Sequence, residues 1–528
     1  MITEIEIANV RIFEGEGWRF LLPPLTVFCG TNSSGKSTIL KLLLLLRQSI
    51  GIRETAAVAQ DRLRLVGSQI DFGDYTSVVS HNETRRDITI GVTISDKIHS
   101  GYAQLFRTVA IPGANLGEIH ESGMEDYTLR SLFTFGILKA KRKKQTTRDE
   151  TMEPAPLPPF PGLKRSQHEL TIDGKVLLRW EVRLDAPPVG PERPSSYKML
   201  IPQALFERTG GFTYMDIEHP AAEEFVTVDV VLRGLLPDNL VAKERIGDQQ
   251  PTPSNRWRVF PMPPYIETLL DDLKGALASI HYLGPLRSPA KRYYVAGLDS
   301  SPSLDAAGEF LPYILRDRQH YEVLDCGPLQ RRGEDRVSLR QALNEWLYYF
   351  RTGELAQSPV PEEVKVEVTG DVLVEFRLRN TGGLESHGLA DSGFGYSQIL
   401  PILVRGLLAH RGSTLVVEQP ELHLNPAIQV RLAEFFIAMV RSGKQVLLET
   451  HSEHIVNSIR VITAEDQSKG LHNKCGVYFL QAEAKRPVVH SLSIQENGTV
   501  PEWPREFFGE AASLAGRLLR AQGNRRGA

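Results

Sequence analysis

Apolar and polar residues alternate along the chain with two different periods, which separate predicted strands from predicted helices. "MITEIEIANVRIF" at the start alternates apolar and polar positions, the pattern of a half-buried strand. "LTVFCG" is a continuous apolar run that ends in glycine and predicts a fully buried strand. The long apolar stretch "GKSTILKLLLLLRQSI" follows it and predicts a helix. Strand, glycine loop and helix are therefore expected in that order.

The middle of the chain has a different character. "DITIGVTI" and "GYAQLFRTVAI", around residues 88–111, predict antiparallel strands. From 112 to 265 glycine and proline become frequent, and "EPAPLPPFPG" is typical of an extended connector. "HELTIDGKVLLRWEVRL" predicts a hairpin around Asp173-Gly174. We expect a partly β, loop-rich insertion here.

Helical periodicity returns in the second half. Helices are predicted in "PYIETLLDDLKGALASI", "GEFLPYILRD" and "SLRQALNEWLYYF", and the strands "EVKVEVTG" and "DVLVEFRLR" flank a Gly-Asp turn. "HGLADSGFGYSQILPILVRGLLAH" predicts a glycine loop that opens a helix. Strand "STLVVE", helix "PAIQVRLAEFFIAMV", strand "KQVLLET" and helix "HSEHIVNSIRVI" then alternate. This order predicts a parallel α/β sheet.

Composition mainly excludes some classes of protein. A net charge of −3 over 528 residues excludes a uniformly basic surface for nucleic acid. Three cysteines without a CxxC pair make a disulfide framework or a cysteine-rich zinc site improbable. The N-terminus lacks the plan of a signal peptide, and the longest apolar run, Leu42–Leu46, is too short to cross a bilayer. We therefore expect a cytoplasmic protein without a membrane partner.

The glycine loop "GTNSSGKST" matches the phosphate-binding pattern G-x-x-x-x-G-K-[ST]. In that pattern backbone N–H groups and the helix N-terminus surround phosphate oxygens, the lysine bridges the β and γ phosphates, and the serine ligates Mg²⁺. The sequence therefore predicts ATP and Mg²⁺ as ligands. The predicted binding residues are Gly30, Asn32, Ser33, Ser34, Gly35, Lys36, Ser37 and Thr38.

A phosphate loop needs a carboxylate on a neighbouring strand to hold the magnesium shell. Glu418 closes the buried strand "TLVVE" and is predicted to fill that role, with Ser37 as the other magnesium residue.

Several later motifs resemble one family. "VVEQPELHLNP" followed by "LLETHSEH" resembles the Walker B, D-loop and switch-histidine region of ABC-type ATPase heads of the SMC, RecF and OLD kind. With "DSGFGYSQILPI" and "NGTVPEWPREFF", the chain most resembles a prokaryotic group of AAA-type ATP-binding proteins that end in a small domain of unknown function. The resemblance covers the two ends of the chain well and residues 112–265 barely. It implies an ABC-type P-loop head with a mixed or parallel sheet.

The resemblance also implies roles for two further segments. "GFGYSQ" stands where ABC proteins carry the signature loop, which one subunit presents to the γ-phosphate of the other in a dimer. Ser397 and Gln398 would act in trans, and Gly393 and Gly395 would allow close approach. The alternative is a glycine-rich helix start that serves packing only. His451 matches the switch histidine, which hydrogen-bonds the γ-phosphate.

The residue at position 419 raises a question about the rate of ATP hydrolysis. ABC ATPases commonly carry a glutamate after the Walker B acid, whereas the Gln419 amide cannot accept a proton at neutral pH. Gln419 can position water, as glutamine does in small GTPases, and Glu421 is a candidate base if its loop turns inward. Alternatively Glu421 is an acid at a helix start. We expect slow hydrolysis that depends on dimerisation.

Weaker signals remain. Gln48 and Gln69 are candidates for the glutamine that ABC heads place near magnesium. Arg287 and Arg292 contact phosphate or nucleic acid, or lie in a solvated turn. The basic run Lys139–Lys144 is a candidate contact for DNA or RNA, or a solvated loop.

The predicted organisation has four parts: an N-terminal ATPase lobe (1–111), the insertion (112–265), a C-terminal ATPase lobe (266–480) and a small C-terminal domain (481–528). The chain shows no nuclease motif of its own. The leading hypothesis is an ATPase that closes a homodimer on ATP and controls a separate effector, in the anti-phage defence with which similar proteins are often linked. A RecF-like DNA clamp and a nucleotide-sensing scaffold with negligible turnover are the alternatives.

Overall fold

The structure is a computed structural model that divides into two compact units. It describes residues 1–50, 62–67, 69–110, 123–138, 160–185, 197–203, 215–216, 225–244, 257–289, 291, 294–295, 306–309, 311–328, 335–369, 373–379, 386–388, 395–468, 470–483, 486–504 and 517–518. The N-terminal unit comprises Met1–Leu21 and Thr38–Ser279, and the C-terminal unit comprises Leu22–Ser37 and Ile280–Ala528.

A large antiparallel sheet forms the N-terminal unit. Within the described residues it has 11 strands in the order β12-β11-β10-β8-β7-β6-β5-β4-β1-β2, with β9 beside β11. The strands are β1 (Ile2–Ala8), β2 (Trp18–Leu21), β4 (Ile88–His99), β5 (Met124–Leu138), β6 (Phe160–Ile172), β7 (Lys175–Leu184), β8 (Tyr197–Pro202), β9 (Met215–Asp216), β10 (Phe225–Arg233), β11 (Leu236–Glu244) and β12 (Trp257–Pro261). The sheet therefore continues across the boundary expected at residue 111.

The predicted hairpin between β6 and β7 is confirmed. The two strands pair antiparallel up to Ile172 and Lys175. Asp173 and Gly174 form the turn with φ values of +50° and +71°. Two consecutive positive φ angles are what a tight hairpin turn requires, which explains why Asp-Gly marks it in the sequence.

The strand predicted at "GYAQLFRTVAI" is wrong, because this segment forms helix α2 (Ser100–Ala110). The segment contains two side chains three positions apart, Ala103 and Phe106, that are both fully buried. Residues three apart share one face of a helix but lie on opposite faces of a strand. The other long helices of the unit are α1 (Lys36–Ile50), whose first two residues belong to the C-terminal unit, and α3 (Pro264–Ala278).

A six-stranded sheet organises the C-terminal unit in the part of it that the structure describes. Its order is β13-β20-β21-β3-β22-β23, and every neighbouring pair is parallel except β22 with β23. The strands are β3 (Leu25–Gly30), β13 (Ile280–Leu283), β20 (Thr414–Glu418), β21 (Gln445–Glu449), β22 (Cys475–Gln481) and β23 (Val488–Ser493). The predicted α/β class and its parallel sheet are confirmed.

Helices cover this sheet, and short strands flank it. The helices are α4 (Leu311–Arg318), α5 (Leu339–Thr352), α6 (Tyr396–Leu408), α7 (Pro426–Arg441) and α8 (Glu453–Ala464). The short strands are β14 (Tyr294–Val295), β15 (Glu322–Leu324), β16 (Arg336–Ser338), β17 (Val364–Thr369), β18 (Leu373–Arg379) and β19 (Ser386–Gly388). The predicted pair "EVKVEVTG" and "DVLVEFRLR" is the antiparallel pair β17–β18, and its turn lies outside the described residues.

Local sequence fixes where the two helices near the sheet edge begin. The Asn425 side chain accepts a hydrogen bond from the backbone N–H of Ile428 at 3.0 Å and caps α7. Ser452 caps α8 in the same way, through the N–H of Ile455 at 3.1 Å. Such caps satisfy N–H groups that have no partner inside the helix.

Bilayer-spanning helices are absent from the described residues, since no helix there combines sufficient length with sufficient apolar character. The three cysteines, Cys29, Cys326 and Cys475, are buried and free.

Candidate functional site

The glycine loop between β3 and α1 has the geometry of a phosphate-binding loop. Gly30 has a φ of +129°, and a Cβ placed on it would run into the backbone of Leu480 on β22. The N–H of Thr31 donates to the backbone carbonyl of Leu480 at 3.0 Å. Gly35, just before the helix, has a φ of +94°. Only glycine allows the loop to turn this closely against the neighbouring strand.

Lys36 holds its ammonium group inside this loop. The side chain is buried, and Nζ donates to the carbonyl oxygens of Thr31 at 2.6 Å and Gly30 at 3.2 Å. Burial lowers the pKa of Lys36, while the carboxylate of Glu449 opposes that change. An ammonium surrounded by loop carbonyls beside a helix N-terminus matches the group that binds nucleotide phosphates in this motif.

The remaining residues of the motif divide into exposed and buried positions. Asn32 and Ser33 are exposed, whereas Ser34 is buried and its hydroxyl donates to the Thr31 carbonyl at 2.7 Å. Thr38 is buried in the N-terminal unit, and its hydroxyl accepts a hydrogen bond from Arg11. Ser34 therefore stabilises the loop, and Thr38 is hydrogen-bonded within the N-terminal unit.

Two buried carboxylates end adjacent strands at the carboxyl edge of the parallel sheet. Glu418 on β20 pairs in register with Glu449 on β21, and Glu449 pairs with Phe28 on β3. Their residues are 2% and 3% exposed. The strands next to the phosphate-loop strand β3 are β21 and β22, so the expectation that Glu418 lies on a neighbouring strand is corrected: β20 is one strand further away.

Each carboxylate has its own hydroxyl donor. Tyr282 on β13 donates to Oε1 of Glu418 at 3.0 Å. Burial, and to a smaller extent the charge of Glu418, raises the pKa of Tyr282. Ser37 of the phosphate loop donates to Oε1 of Glu449 at 2.8 Å. The carboxylate that contacts the serine of the phosphate loop is therefore Glu449, which is not among the residues predicted from the sequence. The signal was present, because "QVLLE" is a buried strand that closes with an acid just as "TLVVE" does.

The loop after β20 turns sharply and reaches the start of α8. Gln419 is a non-glycine residue with a φ of +45°, and its N–H donates to the Glu449 carbonyl at 2.7 Å. Glu421 accepts one hydrogen bond from the Thr450 hydroxyl at 2.8 Å and another from the His451 N–H at 2.6 Å. Glu421 therefore faces inward. The alternative that it opens the following helix is wrong, because α7 begins at Pro426 with Asn425 as its cap.

His451 lies exposed between β21 and α8. Partial burial and the Lys36 charge lower the pKa of its imidazole, and the Glu421 charge opposes them. A neutral imidazole at pH 7 can donate one hydrogen bond and accept another, as the predicted switch role requires.

The signature-like loop, Gly393–Gln398, is described from Gly395 onward. Gly395 caps α6 with a φ of +69°, and a Cβ placed there would lie 2.8 Å from the side chain of Leu424. Ser397 and Gln398 occupy the first turn of the helix and are half-buried. The close packing of Gly395 against the loop after β20 links the two motifs within one subunit.

Arg287 is buried rather than solvated, so the expectation of a solvated turn is wrong for this residue. It is 7% exposed and donates to the backbone carbonyl of Glu418 at 3.2 Å and to Oε1 of Gln398 at 3.5 Å. Burial lowers the pKa of its guanidinium to about 10, against the charge of Glu421. Arg287 thus joins the signature-like helix to the end of β20.

Comparisons with known proteins agree with this geometry in part of the chain. Residues 353–456 match the family described as AAA ATPase domain, a segment that includes Glu418, Gln419, Glu421 and His451. The matched segment lies within the C-terminal unit. Residues 471–518 match a family described as a protein of unknown function, DUF3696. No curated protein matches the chain.

The solved structures with similarity to this chain include SMC heads. One is a crystal structure of the SmcHead bound to the C-winged helix domain of ScpA, at 10% identity, with 94% of this chain and 98% of that chain covered and a TM-score of 0.34. Another is an SMC head domain from Thermotoga maritima, at 8% identity, with 93% and 98% covered and a TM-score of 0.33. A third, an Smc head domain with an extended coiled coil bound to the C-terminal domain of ScpA derived from Pyrococcus furiosus, has 9% identity, 93% and 96% covered and a TM-score of 0.33.

Five further candidates either belong to the N-terminal unit or lie outside the described residues. The Gln48 amide donates to the carbonyl of Arg64, and Gln69 accepts from Arg47 at 3.1 Å. Both glutamines therefore have partners within the N-terminal unit. Gly393, Arg292 and the run Lys139–Lys144 lie outside the described residues.

Proposed function

We propose that this protein binds ATP with Mg²⁺, hydrolyses it slowly, closes a homodimer on ATP and regulates a separate effector protein. The setting that we propose is prokaryotic anti-phage defence. That setting and the effector rest on the sequence resemblance.

One arrangement carries the proposal. The ammonium of Lys36, the hydroxyl of Ser37 and the carboxylate of Glu418 belong to segments that meet at the carboxyl edge of one parallel sheet. Ligands of α/β sheets bind at this edge. The donor set also suits the expected ligands, because an ammonium binds phosphate oxygens and hard oxygen donors bind Mg²⁺.

Ser37 and Glu418 would hold the magnesium ion, and Lys36 with the loop N–H groups would bind the phosphates. Mg²⁺ supplies neutralisation of the negative charge on the phosphate oxygens when it is bound. Burial excludes water from the Glu418 carboxylate, and the hydrogen bond from Tyr282 holds this carboxylate in position.

Slow hydrolysis follows from the chemistry of the loop after β20. Gln419 carries an amide, which cannot take a proton from water at neutral pH. Both carboxylate oxygens of Glu421 already accept hydrogen bonds, from Thr450 and from the N–H of His451. Protein donors thus already engage both oxygens of this carboxylate. The loop is therefore better suited to positioning water than to activating it.

Homodimerisation is supported by the start of α6. Gly395 caps this helix, and Ser397 and Gln398 follow in its first turn. A helix N-terminus offers backbone N–H groups and a positive dipole to an anion. In the proposed dimer these groups complete the nucleotide site of the other subunit.

The decisive experiment is Lys36→Ala. Removing the ammonium eliminates two charge-assisted hydrogen bonds to phosphate, so we expect ATP affinity to fall by about 100-fold, as measured by titration with a fluorescent ATP analogue. Lys474→Ala removes an exposed lysine of the same unit and serves as the matched control. Unchanged nucleotide binding by Lys36→Ala would disprove the proposal.

The dimer is tested in the same variants by light scattering. The wild type is expected to double in mass with a nonhydrolysable ATP analogue, whereas Lys36→Ala is expected to keep the mass that it has without nucleotide. A mass that does not respond to nucleotide in the wild type contradicts ATP-driven closure.

A further inference from the structure

Glu449 occupies a position that no motif assigns. It ends β21, the strand between β3 and β20, so it lies between the phosphate loop and Glu418 at the same edge of the sheet. Adjacent strands in a sheet are about 4.8 Å apart, which keeps the Glu449 backbone within one strand spacing of both.

The side chain of Glu449 is directed at the phosphate loop. Its Oε1 accepts a hydrogen bond from the Ser37 hydroxyl at 2.8 Å, although 412 positions separate the two residues in the chain. Ser37 is the residue through which this kind of loop ligates magnesium. The hydrogen bond therefore places a buried carboxylate against the atom expected to touch the metal.

The chemistry of the three side chains agrees with a divalent cation. A hydroxyl and two carboxylates are the hard oxygen donors that Mg²⁺ prefers.

We propose that Glu449 faces the magnesium ion of the bound nucleotide, together with Ser37 and Glu418. This inference rests on the proposed function and names a third protein group for its metal site. Without nucleotide, Glu449 orients the Ser37 hydroxyl through their hydrogen bond.

The test compares magnesium dependence in Glu449→Gln and the wild type. A fluorescent ATP analogue is titrated in EDTA and in increasing Mg²⁺, and Mn²⁺ bound with ATP is followed by electron paramagnetic resonance. We expect the apparent affinity for the metal in the nucleotide complex to fall by about 10- to 100-fold. Affinity for the analogue in EDTA is expected to stay the same or to rise, because a negative charge near the phosphates has been removed.

Glu434→Gln is the matched control, since Glu434 is a half-buried carboxylate of the same unit that accepts a hydrogen bond from Tyr349. Its magnesium dependence is expected to equal that of the wild type. A folded Glu449→Gln protein with wild-type magnesium dependence would overturn the inference while leaving the proposed function intact. A wild type that binds no nucleotide would overturn the proposed function itself.

A second variant covers the case in which Glu449→Gln does not melt cooperatively. Glu449→Asp keeps the charge but shortens the side chain, and we expect a smaller loss of metal affinity in the same titration. Unchanged magnesium dependence and an unchanged Mn²⁺ spectrum in Glu449→Asp would also overturn the inference.

Discussion

Two loops leave the parallel sheet of the C-terminal unit at the same edge, and they obtain their shapes by different means. The phosphate loop after β3 uses Gly30 and Gly35 at positive φ, with Ser33 between them at +59°. The loop after β20 places Gln419 at +45° and His423 at +60°, without a glycine. Positive φ costs a residue with a side chain about 1 kcal/mol or more, and glycine avoids that cost.

The two loops are consequently held by different forces. The phosphate loop adopts its shape because its glycines permit it and because the lysine and serine bond to its own carbonyls. The loop after β20 is held from outside, by the hydrogen bonds of Glu421 to the residues before α8. The phosphate loop is additionally bonded to β22 through the Thr31 N–H, whereas the loop after β20 depends on the residues before α8.

Of the substitutions that test this difference between the two loops, Gly30→Ala is expected to have the largest effect on stability. The new methyl group would meet the backbone of Leu480, which cannot move without displacing β22. We expect a loss of about 3 kcal/mol in the free energy of unfolding of the C-terminal unit, measured by denaturant titration, with loss of ATP binding.

Gly412→Ala is the matched control. Gly412 has a φ of +82° but no atom within 4 Å of an added Cβ. It is expected to lose only about 1 kcal/mol, the cost of the backbone conformation. Equal losses at both positions would show that φ alone, and not close approach to β22, constrains the phosphate loop.

The same difference explains how much of the site the sequence predicted. The phosphate-loop motif could be recognised in the sequence because its glycines, lysine and serine follow one another at a fixed spacing. Its contacts with Leu480 and Glu449 could not be recognised in this way. The orientation of Glu421 was left open, because its partners Thr450 and His451 are distant in sequence and only the fold brings them close.

The fold was predicted to a similar extent. The alternating strands and helices from Thr414 onward have clear periods, and the structure reproduces them. The helix Ser100–Ala110 was mistaken for a strand, because a short apolar pattern fits both periods until burial shows which positions share a face. Glu449 was missed because the order of strands in the sheet decides which acid lies beside the phosphate loop. That order could not be predicted from the sequence pattern.

Gln419→Glu tests the chemistry of the second loop. If the absence of a base limits hydrolysis, a carboxylate at this position supplies general-base catalysis, and we expect the rate of phosphate release to rise by about 100-fold at saturating ATP. The measurement is a phosphate-release assay on the protein with Mg²⁺. The same change in a Lys36→Ala background is expected to give no release.

Gln419→Asn is the control for this change, because it keeps an amide at the same position. It should leave the rate of phosphate release unchanged or lower. A Gln419→Glu protein that folds, binds ATP and hydrolyses it no faster than the wild type would show that this loop does not place position 419 beside the attacking water.

Glu421→Gln is expected to give the smallest effect of the three. An amide keeps one acceptor oxygen, so one of the hydrogen bonds from Thr450 and His451 is lost and the other loses its charge. We expect the free energy of unfolding to fall by about 1–2 kcal/mol while slow hydrolysis persists. Glu453→Gln, at the half-buried first residue of α8, is expected to cost less than about 0.5 kcal/mol. If Glu421→Gln instead abolishes phosphate release and leaves stability unchanged, Glu421 is the catalytic base, and its contacts with the start of α8 must open when ATP binds.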